Sequence, residues 1–266
     1  MEKASNIQRT EIKKGRNRLV IFLSELYYVN RFIGRFFKEA VTPPYEGKEI
    51  IRQCYEIGFR SLSIITLTAF VTGVVFTKQS RPSLESFGAS SWLPSLIAIA
   101  IIRALAPLVT ALVIAGKVGS NIGAELGSMK VTEQIDAMEV SSTNPFKFLV
   151  VTRVLACTIT IPILVAYFEF IGLMGAFFNV HTNELTSFTT FIKDAFSTIS
   201  FLDLGSSLVK GMVFGFTVGI TGCYKGFSAQ HGTVGVGRAA NSSVVVAMFL
   251  VFIEEMIIVQ VINYMR

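Results

Sequence analysis

Hydrophobic residues are concentrated in five long blocks, and the stretches before and between the blocks carry most of the charged residues. A helix of about 20 apolar residues crosses the roughly 30 Å hydrocarbon core of a bilayer. Each block reaches that length, so the pattern predicts an all-α membrane protein with about five transmembrane helices. The predicted spans cover residues 57–77, 93–116, 148–178, 204–224 and 239–264.

The N-terminal part of the chain has a different pattern. Residues 1–18 are polar and basic, and residues 19–40 place apolar and aromatic side chains on one helical face. Four charged residues from Glu25 to Lys38 disfavour a crossing and favour a helix that lies in the membrane interface. A helix that packs on a soluble partner is the alternative. We therefore predict a basic tail with an interfacial helix over residues 1–45 and a transmembrane domain over residues 46–266.

The distribution of charge gives the predicted bundle an orientation. Of all residues 16% are charged, and residues 1–60 hold 12 of the 24 lysines and arginines, so the net charge of +6 belongs mainly to this segment. A basic segment ahead of hydrophobic spans is typical of the cytoplasmic leaflet, which makes nucleic-acid binding a poor explanation. An odd number of crossings then places the N-terminus inside and the C-terminus outside. The loops 117–147 and 225–238 would be cytoplasmic, the segments 78–92 and 179–203 external, and an amphipathic stretch within 184–200 a short external helix.

The sequence contains no catalytic constellation. It has no GxxxxGK[ST] loop, so we expect no ATP site of the P-loop type in this chain. The glycines of residues 232–238 follow no predicted strand and are interpreted as a cytoplasmic loop. Cys54, Cys157 and Cys223 have neither paired nor metal-like spacing, and we interpret them as small core residues. We also expect no cleavable signal peptide.

Ionisable residues inside the blocks are the strongest candidates for function, because each is costly in hydrocarbon. Arg103 lies near the middle of the second block, and Pro107 lacks the N–H that would bond the carbonyl of residue 103. One interpretation is a polar lining for a cavity that receives an anionic headgroup, with Arg103 and Lys210 as counter-charges. The alternative is pairing inside the chain, for instance of Arg103 with Glu169 or Glu254.

Small residues recur every fourth position in two of the predicted helices. Such spacing lets helix backbones approach closely. Packing within the chain is the default interpretation, and a homodimer contact is the alternative. The two sets are Gly119, Gly123 and Gly127, and Gly211, Gly215 and Gly219.

A short amphipathic segment, residues 131–140, follows the second block. It would place Ile135 and Met138 on one side and Glu133, Asp136 and Glu139 on the other. This pattern fits a helix pressed into a groove of a soluble partner. A solvated helix in a loop is the alternative.

The second block and the segment that follows it resemble a known family. The stretch IIRALAPLVTALVIAGKVGSNIGAELGSMKVTEQIDAMEV, residues 101–140, is similar to the signature region of the MlaE/YrbE permeases. These are the membrane subunits of ABC transporters that work with MCE proteins on lipids. The similarity extends from IIRQCYEIGFRSL at residue 50, through LVKGMVFG around Lys210 and GFSAQHGTVGVGRAAN, to the last block.

The resemblance implies a permease of an ATP-driven transporter that moves phospholipid between the bacterial inner membrane and an MCE carrier, serving outer-membrane lipid homeostasis. It implies a homodimer, two separate ATPase subunits that bind ATP and Mg²⁺, an MCE-domain protein on the periplasmic side, and no catalysis or cofactor in this chain. The first span would be re-entrant or broken. The lipid cavity between protomers would draw on Arg103, Lys210, Phe76, Glu254 and Glu255. The segment 131–140 would be the coupling helix on the ATPase, through Thr132, Glu133, Gln134, Ile135, Asp136, Met138 and Glu139.

One position departs from the family pattern, because Ala104 stands where an acidic residue commonly follows the arginine. Glu254 or Glu255 is the expected substitute as partner of Arg103. Two other classes of protein stay open on the residues alone. An ion-coupled secondary transporter could use the buried charges, although no internal repeat of the kind common in such folds is visible. A membrane scaffold could anchor partners through the amphipathic segments without transport.

Overall fold

The computed structural model describes residues 18–43, 45–184, 186–230 and 232–265, and these residues form helices and no strand. Most of the predicted basic tail, residues 1–17, lies outside them. The chain divides into two compact units, one ending at Tyr45 and one from Glu46 onwards. In the first unit, a helix of 24 residues covers Arg18–Val41.

The second unit is a bundle of long apolar helices, which confirms the all-α membrane fold. Five helical segments in the described part of the chain are long and apolar enough to cross a membrane. Each is longer than its predicted block, because polar residues continue the helix past the apolar stretch. We call them spans 1 to 5: Gly47–Ser86, Ser90–Val131, Phe146–Thr182, Phe201–Phe227 and Thr233–Tyr264. Two short helices, Gln134–Val140 and Phe188–Phe196, follow spans 2 and 3.

Contacts between the spans show that consecutive spans run in opposite directions. Span 4 is antiparallel to span 3, since Gly211 lies against Pro162 and Gly219, further along, lies against Val154. Span 5 is antiparallel to span 2, since Gly116 lies near Met248 and Gly127, further along span 2, lies near Val236, earlier in span 5. Between these contacts the hydroxyl of Ser243 donates to the carbonyl of Gly119 at 2.8 Å.

This alternation gives the bundle two ends. The near end holds the start of span 1 and the helix Gln134–Val140. The far end holds the helix Phe188–Phe196 and the end of span 5.

Span 1 is broken but does not turn back. A 3-10 turn at Phe59–Ser61 interrupts its α-helix. The span then runs parallel to span 3: the hydroxyl groups of Thr66 and Tyr167 bond at 2.8 Å, and Arg81 reaches the carbonyl of Asn179 at 3.4 Å. Residue numbers rise together along spans 1 and 3 between these two contacts, so span 1 keeps one direction over this length. It therefore takes the broken form that the resemblance implies and not the re-entrant one.

Span 2 contains two π-turns, Ile101–Leu105 and Ala115–Gly119. A π-turn shifts the hydrogen-bond register of a helix, and such turns often occur at functional sites. The first turn carries Arg103 and directly precedes Pro107, which cannot donate to the carbonyl four residues earlier. The loosening predicted at this proline therefore takes the form of a π-turn.

Glycines allow the close approach of neighbouring spans. A Cβ atom on Gly215 would lie 2.6 Å from the carbonyl oxygen of Cys157 in span 3, and one on Gly211 would lie 2.9 Å from the Cα of Pro162. The glycines of span 2 face span 5, where a Cβ on Gly123 would lie 3.1 Å from that of Ser243. The structure thus places both glycine sets at contacts within the chain. Gly119 and Gly127 also lie near side chains of span 5.

Replacing Gly215 with alanine tests this packing. The added methyl group meets backbone atoms of span 3, so we expect a loss of about 1–3 kcal/mol and a lower melting temperature in detergent. Gly205→Ala in the same span is the matched control, because nothing lies within 4 Å of a Cβ there. Equal melting temperatures for the two variants would contradict the close approach of spans 3 and 4.

Candidate functional site

An ion pair joins spans 2 and 4 close to the first π-turn. Nε of Arg103 lies 2.9 Å from Oδ1 of Asp203, and Nη2 donates to Oδ2 at 3.0 Å. The Asp203 side chain is fully buried, whereas 32% of the Arg103 side chain is exposed. One charge-assisted hydrogen bond, from Nη2, therefore joins the guanidinium to the carboxylate, while Nε lies close to the second oxygen without forming a hydrogen bond.

Asp203 is held in place by the start of its own helix. It lies in the first turn of span 4, where the backbone N–H of Ser200 donates to Oδ2 at 2.9 Å and the Ser200 hydroxyl donates to the same oxygen at 3.0 Å. Ser200 and Asp203 form a capping box at the N-terminus of span 4, in which the side chain of each residue accepts from the backbone N–H of the other. An acidic group there is also favoured by the helix dipole.

The partner of Arg103 is therefore Asp203, and the expected pairing with Glu169, Glu254 or Glu255 was wrong. Asp203 was not considered as a partner of Arg103 because the predicted fourth span began one residue after it. The capping-box pattern of Ser200 and Asp203 was the available signal.

Lys210 connects this pair to span 5. Its ammonium group donates to the carbonyl of Arg103 at 2.8 Å and to Oε1 of Glu255 at 2.6 Å, and 2% of its side chain is exposed. In a regular α-helix the carbonyl of Arg103 would accept from residue 107, which is a proline. The lysine of span 4 thus bonds a backbone group that Pro107 leaves available in span 2, and it binds span 5 at the same time.

Two further acids in the spans bond to hydroxyl groups. Ser207 donates to Glu169, and Thr217 donates to Glu254 at 2.5 Å. Phe76, the aromatic candidate for the same cavity, is half-buried on span 1, outside the network that spans 2, 4 and 5 form.

These contacts change what the predicted counter-charges can do. Lys210 is buried and paired, so it is not available as an open site for an anion. Arg103 is also paired, but it keeps about a third of its side chain exposed. Of the two cations in the network, Arg103 is the one that a headgroup could reach.

At the near end, the short helix begins at Gln134 and not at residue 131. Glu133 precedes it with a left-handed backbone, φ 59°. Ile135 is 3% exposed, and Asp136 accepts a hydrogen bond from the ammonium group of Lys130 at 3.0 Å. The predicted apolar face for a partner is therefore turned into the chain. The exposed surface is formed by Thr132, Glu133, Gln134, Ala137, Glu139 and Val140, with Met138 half-buried.

Another ion pair, between spans 2 and 3, lies towards the near end and escaped the sequence analysis. Nη2 of Arg153 donates to Oε1 of Glu125 at 2.8 Å, and Nη1 donates to the carbonyl of Leu149 at 3.0 Å. Arg153 is 3% exposed, whereas half of Glu125 is exposed. Arg153 lies inside the predicted third span, so its charge within an apolar block was a signal that could have identified it, whereas Glu125 lies in a predicted loop and gave no such signal.

The bundle and its buried ion pairs define a multi-pass α-helical membrane protein. Comparison with known proteins narrows this class. The profile of the family described as Permease MlaE matches residues 50–261, so the chain belongs to the MlaE permease family.

Curated relatives support the same assignment. A probable ABC transporter permease protein of Rickettsia typhi is 38% identical over 221 residues, which cover 83% of this chain and 85% of the relative. One from Synechocystis is 32% identical over 240 residues, with 90% and 91% coverage. A third, from Pyropia yezoensis, is 35% identical over 209 residues, with 79% and 80% coverage. The chain is an ABC transporter permease of the MlaE family.

A double-mutant cycle tests the pair between spans 2 and 4. Arg103→Gln and Asp203→Asn each leave a charge without its partner, and breaking a buried pair costs about 3–5 kcal/mol. We expect both single variants to melt at a lower temperature, and the double variant to lose about 0.5–3 kcal/mol less than the sum. Thermal unfolding in detergent measures all four proteins. Strictly additive losses would show that the two side chains do not interact.

Proposed function

We propose that this permease moves phospholipid in an ATP-driven transporter, between the inner membrane and an MCE-protein carrier that serves outer-membrane lipid homeostasis. The observation that carries the proposal is the family match over residues 50–261, together with the exposed short helix at the near end. In this proposal the chain is a non-catalytic transport subunit, and a separate ATPase binds ATP and Mg²⁺.

The near-end helix is the proposed docking point of that ATPase. Glu133, Gln134, Glu139 and Val140 are exposed there, and Val140 exposes 88% of its surface. The helix is anchored to span 2 by buried Ile135 and by the pair between Lys130 and Asp136. A movement of the ATPase would therefore move this helix and span 2 with it. Ile135 and Asp136 act as anchors in this scheme and not as ATPase contacts.

A second copy of the chain is the proposed cover for span 5. In the most apolar stretch of span 5, 11% of the residues are buried, whereas 72% are buried in the corresponding stretch of span 3. Its outward side chains are large and apolar, with Phe249 65% exposed and Met256 61% exposed. In a homodimer the lipid cavity would lie between the two copies, within reach of the exposed part of Arg103.

The orientation follows from the same scheme. The near end would face the cytoplasm with the ATPase and the N-terminus. The far end would face the periplasm, with the C-terminus and the MCE-domain protein. The basic residues of the near-end loops support this assignment, which also places the protein in the inner membrane of a bacterium.

Charge reversal on the docking helix tests the ATPase contact. We expect Glu133→Lys combined with Glu139→Lys to abolish co-purification of the ATPase, because both side chains are exposed and make no ion pair among the described residues. Membrane insertion and melting temperature should stay unchanged. Glu85→Lys, an exposed acid at the far end, is the control. Undiminished ATPase in the double variant would refute the docking assignment.

Lipid content tests the role of Arg103. Arg103→Gln and Asp203→Asn break the same ion pair, but the second variant keeps the guanidinium group. If Arg103 contacts a headgroup, phospholipid co-purified per protomer should fall further in Arg103→Gln than in Asp203→Asn. Mass spectrometry of extracted lipid measures the difference. Equal lipid content in the two variants would limit Arg103 to a structural role.

A further inference from the structure

An apolar groove lies at the far end beside the ion-pair network, because Ile102 and Leu204, the chain neighbours of Arg103 and Asp203, form part of its lining. It is a groove of about 200 Å³ between span 3 and the short helix Phe188–Phe196. Span 3 and the short helix provide most of its walls, through Ala166, Glu169, Phe170, Phe188, Ile192 and Phe196.

The groove opens sideways on the surface of the bundle. Phe170 is 61% exposed, Phe188 45% and Phe196 43%, so large apolar side chains line its mouth. The lateral surface of a membrane-spanning bundle faces lipid chains. An apolar groove in this surface is therefore filled from the bilayer.

The short helix is fixed in position by contacts that require no ligand in the groove. Phe191 is fully buried on its inner side, and the hydroxyl of Ser95 donates to the carbonyl of Asp194 at 2.7 Å. The ring of Phe188 packs edge-on against Phe177 with centroids 5.0 Å apart. The wall that Phe188, Ile192 and Phe196 form is thus held in place before any ligand arrives.

One polar group lies in the wall of the groove, and a lysine lies on the short helix outside the lining. Glu169 is 8% exposed, and Ser207 donates to one of its two carboxyl oxygens. Lys193 is exposed on the short helix next to Ile192. An exposed cation one residue from the wall of an apolar groove matches a molecule with a phosphate at one end and a hydrocarbon chain at the other.

We propose that this groove binds one phospholipid of the far-end leaflet. One acyl chain lies along Ala166 and Phe170, and the phosphate lies beside Lys193. The site is lateral and complete within a single copy of the chain, so it is distinct from the cavity proposed between two copies. It depends on the membrane fold and not on transport.

Photolabelling tests the acyl-chain part of this site. The protein in vesicles of bacterial phospholipid receives a trace of phospholipid with a diazirine in its acyl chain, and adducts are mapped by mass spectrometry. We expect several-fold more adduct in residues 166–174 and 188–196 than on the exposed face of span 1 around Leu67. Ala166→Trp fills the groove and should remove this excess. Ile163→Trp, on the exposed surface three residues earlier, should keep it.

Two results would overturn the acyl-chain assignment. One is labelling of the groove no higher than that of span 1, or an excess that survives Ala166→Trp. The other is a disulfide between two copies carrying Phe170→Cys, which would place a second chain in the groove. Neither readout uses ATP or transport, so failure here is separable from failure of the proposed function.

The phosphate contact has its own test. Lys193→Gln should reduce labelling of the groove by the phospholipid probe several-fold and leave labelling by a diacylglycerol probe, which lacks phosphate, unchanged. Lys78→Gln, an exposed lysine near the far end of span 1, should change neither. Equal labelling by the phospholipid probe in Lys193→Gln and in the wild type would overturn the assignment of the phosphate to Lys193.

Discussion

The requirement that charges inside a membrane bundle be paired determines how spans 2, 4 and 5 meet. A charged side chain is costly in hydrocarbon unless it finds a partner or water. Arg103 meets Asp203, and Lys210 meets both Glu255 and the carbonyl that Pro107 leaves available. Removing one member leaves another without its partner, which costs more than the net worth of the pair. The glycine contacts can then bring spans 2 and 5, and spans 3 and 4, into close packing.

The sequence predicted the number and type of the spans because block length alone decides whether a helix can cross a bilayer. It did not predict the partner of Arg103, since Asp203 is 100 residues away and lay just outside a predicted span. Spacing showed that Gly215 allows close approach but not that span 3 is the neighbour. Periodicity placed Ile135 and Asp136 on opposite sides of the predicted helix. It could not show that Ile135 faces inward and that Asp136 bonds Lys130. Each of these facts depends on contacts between distant segments.

The two ends of the bundle differ in a way that suits an MlaE-family permease. The near end presents a polar, exposed helix anchored to span 2, and we assign it to an ATPase. The far end presents aromatic side chains and the lateral groove, and we assign it to lipid. Span 2 connects the two ends through its two π-turns, the first of which carries Arg103. In the proposed mechanism, movement at the near end therefore reaches the ion-pair network along a single helix.

The most direct test of this account is ATP-dependent phospholipid transfer by the reconstituted complex with Lys210→Met and Glu255→Met combined. These substitutions replace a buried ion pair by apolar side chains of similar size, which proteins often tolerate without loss of stability. If the pair serves to join spans 4 and 5, the double variant should keep its bound ATPase and its transfer rate, and its melting temperature should fall only slightly, because the bond from Lys210 to the carbonyl of Arg103 is also lost. A double variant that is stable and fully assembled but unable to transfer phospholipid would show that these charges act on the lipid, and would contradict the account.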